Sequence, residues 1–399
     1  MATTASPRPG PTVLRAARLL DGTGTVLEDP RLVVEDGVIV AVGPALAVPE
    51  QTTVVDLPGA TLVPGLIDTH MHLAFDASTD PIGTLAAQDD EVALAAMAQA
   101  ARTAARAGIT TVRDLGDRDY LALHLRETGT GLPTIVAAGP PITSAGGHCH
   151  FLGGVAERGV RDAVREHAER GVDVIKVMAS GGFLTSGTNV DGRQFTPDDL
   201  VALVDEAHRH GLPVTAHAHA LEAIVDGVAA GVDGLEHCTF ADGDRIVAPD
   251  DLVATIVRRR IAVGATLGLV PTSLPIAPPP ELMKILPHVL ASYSRLIREG
   301  AVVVAGTDAG IAPVKPHGVL PHGLLHLAQL GMSPAEALTA GTSTAAQVCG
   351  LGDRKGRVRP GYDADLLAVD GDPLTDLTAL LRPVAVLVAG RPIMTAAVS

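Results

Sequence analysis

From Leu62 onward, short runs of Val, Ile and Ala alternate with longer stretches rich in Ala, Glu and Arg. Apolar positions in the longer stretches recur with helical spacing, as in Glu91–Ala107 and Pro197–His210, so the chain reads as repeated strand–helix units around a parallel sheet. Strands are expected to begin near Leu62, Ile109, Thr134, Val172, Pro213, Asp233, Ile261 and Ala301, the first ending in His70. Eight such units predict an α/β fold of the (β/α)8 TIM barrel type, in which the loops after the strands' C-terminal ends form the functional face.

The chain ends follow a different pattern. Residues 12–56 hold short alternating runs, Arg31–Val34 and Val38–Val42, separated by Asp-Gly and Gly-Pro turns, while Ala364–Val369 and Val384–Val388 flank a Gly-Asp-Pro turn. These runs predict a small β-sandwich formed by both chain ends. The expected division is residues 1–58 for its N-terminal part, 59–355 for the barrel and 356–399 for its C-terminal part.

Composition narrows the function. With 47% hydrophobic and 19% charged residues, the 399-residue chain can bury a large core. A net charge of -15 without any basic run argues against nucleic acid or an anionic lipid surface as partner. Arg15, Arg18 and Asp21 interrupt the first apolar residues before a signal-peptide core could form, and no stretch offers the roughly 18 apolar residues of a membrane span. A cytoplasmic enzyme acting on a small molecule or short peptide is expected, with homo-oligomerisation left open. Cys149, Cys238 and Cys349 are odd in number and far apart, which speaks against disulfides. Cys349 reads as a buried filler, whereas Cys149 and Cys238 sit beside histidines.

Candidate chemistry falls at the expected functional face. The first barrel strand ends Ile67-Asp68-Thr69-His70-Met71-His72, and residues two apart on a strand share a face, so both imidazoles can reach one ion. Lys176 stands inside the apolar run Val172–Met178, where an unpaired ammonium would be costly to bury. An ion pair or a snorkelling side chain would resolve that cost; so would reaction with carbon dioxide to a carbamate whose oxygens bridge two metals. Strand five ends in His217 and His219, strand six in Glu236-His237 and strand eight in Gly306-Thr307-Asp308. Imidazole nitrogens and carboxylate oxygens suit zinc, manganese or iron.

Together these segments resemble the amidohydrolase superfamily, in its binuclear branch with a carboxylated lysine. The likeness covers nearly the whole chain. It rests on Pro64–His72, Ile175–Gly182, His217-Ala218-His219, Glu236-His237, Gly306–Gly310 and Gly361–Leu366. The resemblance implies that His70 and His72 bind the more buried of two divalent ions, zinc being the first choice, and that His217 and His237 bind the more exposed one. It also implies that carboxylated Lys176 bridges them and that Asp308 binds the buried ion and moves protons. The activity implied is hydrolysis of a carbon–nitrogen bond in a dipeptide, a C-terminal residue or tail, or an N-acyl amino acid, by a metal-bridging hydroxide. Relatives that cleave such substrates often carry a tyrosine where this chain has His219.

Within the same superfamily, a mononuclear deaminase or a cyclic-amide hydrolase is the nearest alternative. Deaminases typically have His-x-x-Glu after strand five, where this chain reads His217-Ala218-His219-Ala220. A non-catalytic scaffold is the remaining alternative, although all six ligand positions are present. His148 and His150, in a glycine-rich run after strand three, and His219 are expected to bind substrate, with His317 and His322 as weaker candidates. His124, His167, His208, His210, His288 and His326 fall in helical stretches and read as solvated or structural. The five phenylalanines, Phe75, Phe151, Phe183, Phe195 and Phe240, follow barrel strands and are expected to line the pocket mouth, Phe151 and Phe183 foremost.

Overall fold

The computed structural model describes residues 10–47, 52–270 and 280–395. Met1–Pro9, part of the stretch on which the expected lack of a signal peptide rests, lies outside them.

The N-terminal part contributes β1 (Thr12–Leu20), β2 (Val26–Glu28), β3 (Arg31–Glu35), β4 (Val38–Gly43) and β5 (Thr53–Pro64). The parallel strands follow as β6 (Leu66–Met71), β7 (Ile109–Asp114), β8 (Thr134–Ala137), β9 (Ile175–Met178), β10 (Val214–Ala220) and β11 (Gly234–Asp242). After the short β12 (Arg245–Ile246) come β13 (Ala262–Thr266) and β14 (Val302–Gly306), and the chain closes with β15 (Leu366–Asp370), β16 (Pro383–Val388) and β17 (Arg391–Thr395). Each of the eight expected barrel strands is present, starting within a few residues of its predicted position.

Among the described residues β6–β7–β8 form one parallel sheet, and β9, β10, β11, β13 and β14 run in order through another, with β12 attached to β11. Main-chain bonds join the two at both seams. The Ile142 amide donates to Lys176 O and the Met178 amide to Ile142 O; on the other side the Thr307 amide donates to His70 O and the His72 amide to Ala309 O. The arrangement is a TIM-barrel-like α/β domain. β6, β7 and β9 are buried at every position, the pattern of strands covered on both faces, so the polar side chains they carry, Asp68, His70, Arg113 and Lys176 among them, are buried with them.

Helices stand where their capping residues predict. Thr196 and Asp199 form a reciprocal capping box at the start of Pro197–Arg209, and Asp89 caps Asp90–Arg106. Such caps contribute about 1 kcal/mol each. Among the described residues no helix is long and apolar enough to cross a membrane.

The chain ends pair as expected, in one continuous sheet ordered β17–β16–β15–β5–β1–β3–β4 with β2 on β1. The sheet curls until its two hairpin turns meet: the Ala364 amide donates to Gly37 O, and the Gly390 amide to Ala364 O. Strand alternation divides the cores. Leu62, Leu366, Ala368 and Leu387 face the sheet's own core, whereas Val63, Leu367, Val369 and Val386 join the core of the parallel domain. β5 runs unbroken across the expected boundary at residue 58, so the sheet is anchored directly to the strand that carries His70.

Candidate metal centre

Two trios of ligand-type side chains gather at the C-terminal ends of the parallel strands. His70 and His72, at the end of β6, meet Asp308 after β14; His217 and His219 of β10 meet His237 of β11. Within each trio the ligand atoms lie within 4.8 Å of one another, and the His70 and His237 ring centroids are 5.2 Å apart.

In the first trio, Nε2 of His72 and of His70 stand 3.2 and 3.5 Å from Asp308 Oδ1. Each ring commits its other nitrogen to support. His70 Nδ1 lies 2.9 Å from Glu236 Oε2, and His72 Nδ1 lies 3.0 Å from the Gly116 carbonyl. This turns both Nε2 atoms to the centre, towards Asp308, as in metal-ligating histidines. Glu236 also accepts from Arg113 Nη2 at 2.8 Å and Thr215 Oγ1 at 2.7 Å, and Arg113 Nε donates to Thr69 O at 2.6 Å. Only glycine fits at 264: a Cβ there would stand 1.9 Å from Glu236 Oε2.

Burial pushes His70 down to about 4. Burial would raise the Asp308 carboxyl, but its hydrogen bond to His72 and the charges around it hold it well below the usual carboxylate range. Asp308 adopts a left-handed backbone (φ 59°), fixed by donation of the Thr307 and Asp308 amides to His70 O. Asp68 braces the turn by accepting from Thr307 Oγ1 at 2.6 Å and its amide at 3.1 Å.

In the second trio, His237 Nδ1 is 2.9 Å from Thr266 Oγ1, His219 Nδ1 is 2.7 Å from Thr239 Oγ1, and His217 Nε2 is 3.1 Å from Gly181 O. Burial, then the neighbouring histidines, hold His217 and His237 well below their ordinary value, which keeps them neutral as ligands must be. Lys176 of β9 is 1% exposed, and its Nζ has no hydrogen-bond partner. Burial lowers it to about 8, and its charge acts on His70 as well as on His217 and His237.

Five of the six expected ligand residues thus fall in the two trios, Lys176 acts on both through its charge, and the structure adds His219 beside His217 and His237. His148 is buried with its ring 4.6 Å from that of His217 and its Nδ1 unpartnered; a Cβ at Gly182 would stand 2.4 Å from its Nε2. His150 is not brought in: it is exposed, and its contacts are with Gly147 O and the Phe151 ring. Phe183 is 41% exposed and meets His219 edge-on at 5.3 Å, and Phe151 is half-buried beside Phe75. The expectation that all five phenylalanines line the mouth is corrected, because Phe75, Phe195 and Phe240 are buried in the core.

His317, given little weight in the sequence, places Nε2 2.9 Å from His72 O. Arg113 and Lys315 were missed as site residues, and Glu236, placed by the sequence at the functional face without a role, proves to be the partner of His70. Arg113 carried the same signal as Lys176, a charge inside a strand buried throughout.

A parallel α/β scaffold with adjacent imidazole and carboxylate trios at its strand ends is that of a metal-dependent hydrolase. Residues 61–393 match the Amidohydrolase family, and the chain belongs to it. It is 28% identical to the ochratoxinase of Aspergillus niger, over 94% of this chain and 84% of that one. It is 29% identical to the imidazolonepropionase of Deinococcus deserti, over 94% and 93% of the two chains. The crystal structure of a Xaa-Pro dipeptidase with bound methionine in the active site superposes with a TM-score of 0.83 at 26% identity, covering 96% of this chain and 99% of that one. The protein is thus a hydrolase of carbon–nitrogen bonds, in a metal-dependent family whose enzymes act on small-molecule or peptide substrates.

Proposed function

We propose that the protein is a binuclear amidohydrolase that cleaves an amide or peptide bond beside a hydrophobic group and releases an amino acid with a free carboxylate. Lys176 carries this reading: its buried amine lies electrostatically within reach of both trios and lacks any hydrogen-bond partner. Loss of the ammonium's extra proton, then addition of carbon dioxide with loss of a second proton, turns that amine into a carbamate that removes the buried positive charge and offers two oxygens as ligands. His70, His72 and Asp308 would hold one ion and His217 and His237 the other, with carboxylated Lys176 shared. Zinc is the first choice for such nitrogen and oxygen donors. When bound, the ions supply a water-derived nucleophile at neutral pH and polarise the scissile carbonyl.

The chain's own groups do the rest. The Asp308 carboxylate, ionised at neutral pH, accepts a proton and returns it to the leaving amine. Of the two candidate histidines after β8, His148 is the substrate contact, through its unpartnered Nδ1. Phe183 and Phe151 provide the apolar wall. The reading also takes the eight parallel strands as a closed barrel at 59–355, the chain ends as a sandwich built from 1–58 and 356–399, and the cytoplasm as the setting.

Elemental analysis and intact mass test the metal centre: two ions per chain and a carboxylated Lys176 are expected, and one ion with an unmodified lysine overturns the binuclear reading. A hydrolysis screen over dipeptides, N-acyl amino acids and peptide amides tests the reaction, and turnover confined to deamination of cyclic amidines overturns it.

A further inference from the structure

Three lysines of this chain have their ammonium groups shielded from solvent, and they solve the problem of buried charge differently. Lys355, 3% exposed, pairs with Asp363 at 2.8 Å and Asp365 at 2.6 Å. Lys176 has no partner, which carboxylation resolves. Lys315, partly exposed, donates from Nζ to two main-chain carbonyls, Thr307 O at 2.6 Å and Thr266 O at 3.0 Å. Among the described residues it forms no ion pair.

An ammonium has three N–H donors, so two carbonyls leave one unused and the charge uncompensated. Holding a cation this way is expensive unless an anion arrives. Nearby carboxylates are already committed. Asp308 and Asp68 act on Lys315 through space, but Asp308 is bonded to His72 and belongs to the trio of His70 and His72, and Asp68 accepts from Thr307.

The position is equally specific. Thr266 ends β13 and supports His237 through Oγ1, while Thr307 follows β14 and immediately precedes Asp308. Lys315 Nζ therefore sits at the functional face between supports of the two trios. An imidazole such as His148 or His219 can offer a carboxylate one N–H; Lys315 offers an N–H together with a fixed positive charge.

We propose that Lys315 is the anion subsite of the centre, receiving the free carboxylate of the substrate's amino-acid portion. The proposal rests on the amidohydrolase reading above and names its specificity determinant.

The test compares wild type, Lys315→Met and Lys315→Arg on N-benzoyl-L-phenylalanine and on its C-terminal amide, N-benzoyl-L-phenylalaninamide, with metal content measured for each protein. Wild type should prefer the free acid. Lys315→Met should reduce the acid-over-amide ratio of kcat/KM roughly ten- to hundredfold, the worth of a charge-assisted hydrogen bond, chiefly through KM. Lys315→Arg should recover part of that ratio. Calorimetry with L-phenylalanine and L-phenylalaninamide should show the same loss of discrimination without turnover. An equal fall on both substrates, with or without metal loss, overturns the proposal and makes Lys315 only a clamp on the Asp308 turn. If wild type cleaves neither substrate nor any amide in the screen, the amidohydrolase reading fails, whatever the calorimetry returns.

Discussion

His70 Nδ1 lies 2.9 Å from Glu236 Oε2, and each side chain is only 1% exposed. Burial would raise the Glu236 carboxyl, but Arg113, His70 and Lys176 hold it far below its ordinary range, so the imidazole N–H donates to an ionised carboxylate. The pair fixes the ring's tautomer and turns Nε2 to the centre. Glu236→Ala should weaken metal binding at this half-site roughly ten- to hundredfold, as loss of an outer partner does elsewhere. It should also destabilise the fold by about 3–5 kcal/mol, because Arg113 is left buried without its counter-ion. Metal titration of the apoprotein and urea denaturation measure the two effects; a variant with unaltered affinity would make the pair purely structural.

Replacing Asp308 by Asn preserves the side chain's size while removing the charge. Folding should be largely intact and metal still bound, but turnover should fall by several orders of magnitude, because no group then accepts and returns the proton. Steady-state kinetics on the best screen substrate decides this. Retention of more than about a tenth of wild-type activity would exceed what loss of an acid–base group allows.

A pH-dependent stability term is expected from Asp117. The residue is fully buried; its Oδ2 accepts from the Ala122 amide while Oδ1 has no partner. Burial, then repulsion from Asp114 and Asp119, raises its carboxyl well above the ordinary value. The folded state therefore keeps a proton that the unfolded chain gives up near pH 4, so stability is full below that point and is lost as pH rises towards the folded value. Asp117→Asn removes the titration. Urea midpoints from pH 4 to 8 should show the variant gaining on wild type with rising pH, by about 1 kcal/mol or more; a pH-independent difference would contradict this.

Much of this architecture was legible because a buried parallel strand announces itself. Val, Ile and Ala recur where both faces of a strand are covered, as in Val302–Gly306, and residues two apart, His70 with His72 and His217 with His219, point one way. Burial partners were not legible. Nothing in the spacing shows that Arg113, Thr215 and Glu236, from three strands, meet at one point, or that Gly264 is small to admit the Glu236 carboxylate. Lys315 was hidden for a related reason: it lies in a loop of no regular period, and its role depends on two carbonyls that every residue possesses. The phenylalanines failed differently. Sequence placed each after a strand, but strand ends face both the pocket and the surrounding helices, and sequence position alone does not choose between them.

That ambiguity supplies the last prediction, which separates two phenylalanines of identical chemistry. Phe240 ends in the core at 0% exposure, with β11 continuing past it, whereas Phe183 is 41% exposed and rests edge-on against His219. Removing the Phe240 ring opens a cavity among closely packed neighbours, so Phe240→Ala should cost about 3–5 kcal/mol of stability. Removing the Phe183 ring exposes little new surface and should leave stability within roughly 0.5 kcal/mol of wild type, as for other surface substitutions. Function should respond in the opposite sense. If Phe183 is the apolar wall for the substrate's hydrophobic group, Phe183→Ala should lower kcat/KM for a bulky N-acyl phenylalanine about tenfold or more, the worth of a buried aromatic contact, while affecting an N-acyl glycine far less. Parallel denaturation and kinetics on both variants provide the measurement. An equal loss on the phenylalanine and glycine substrates would show that Phe183 supports the His219 ring rather than the substrate, and a stability loss comparable to that of Phe240→Ala would return it to the core.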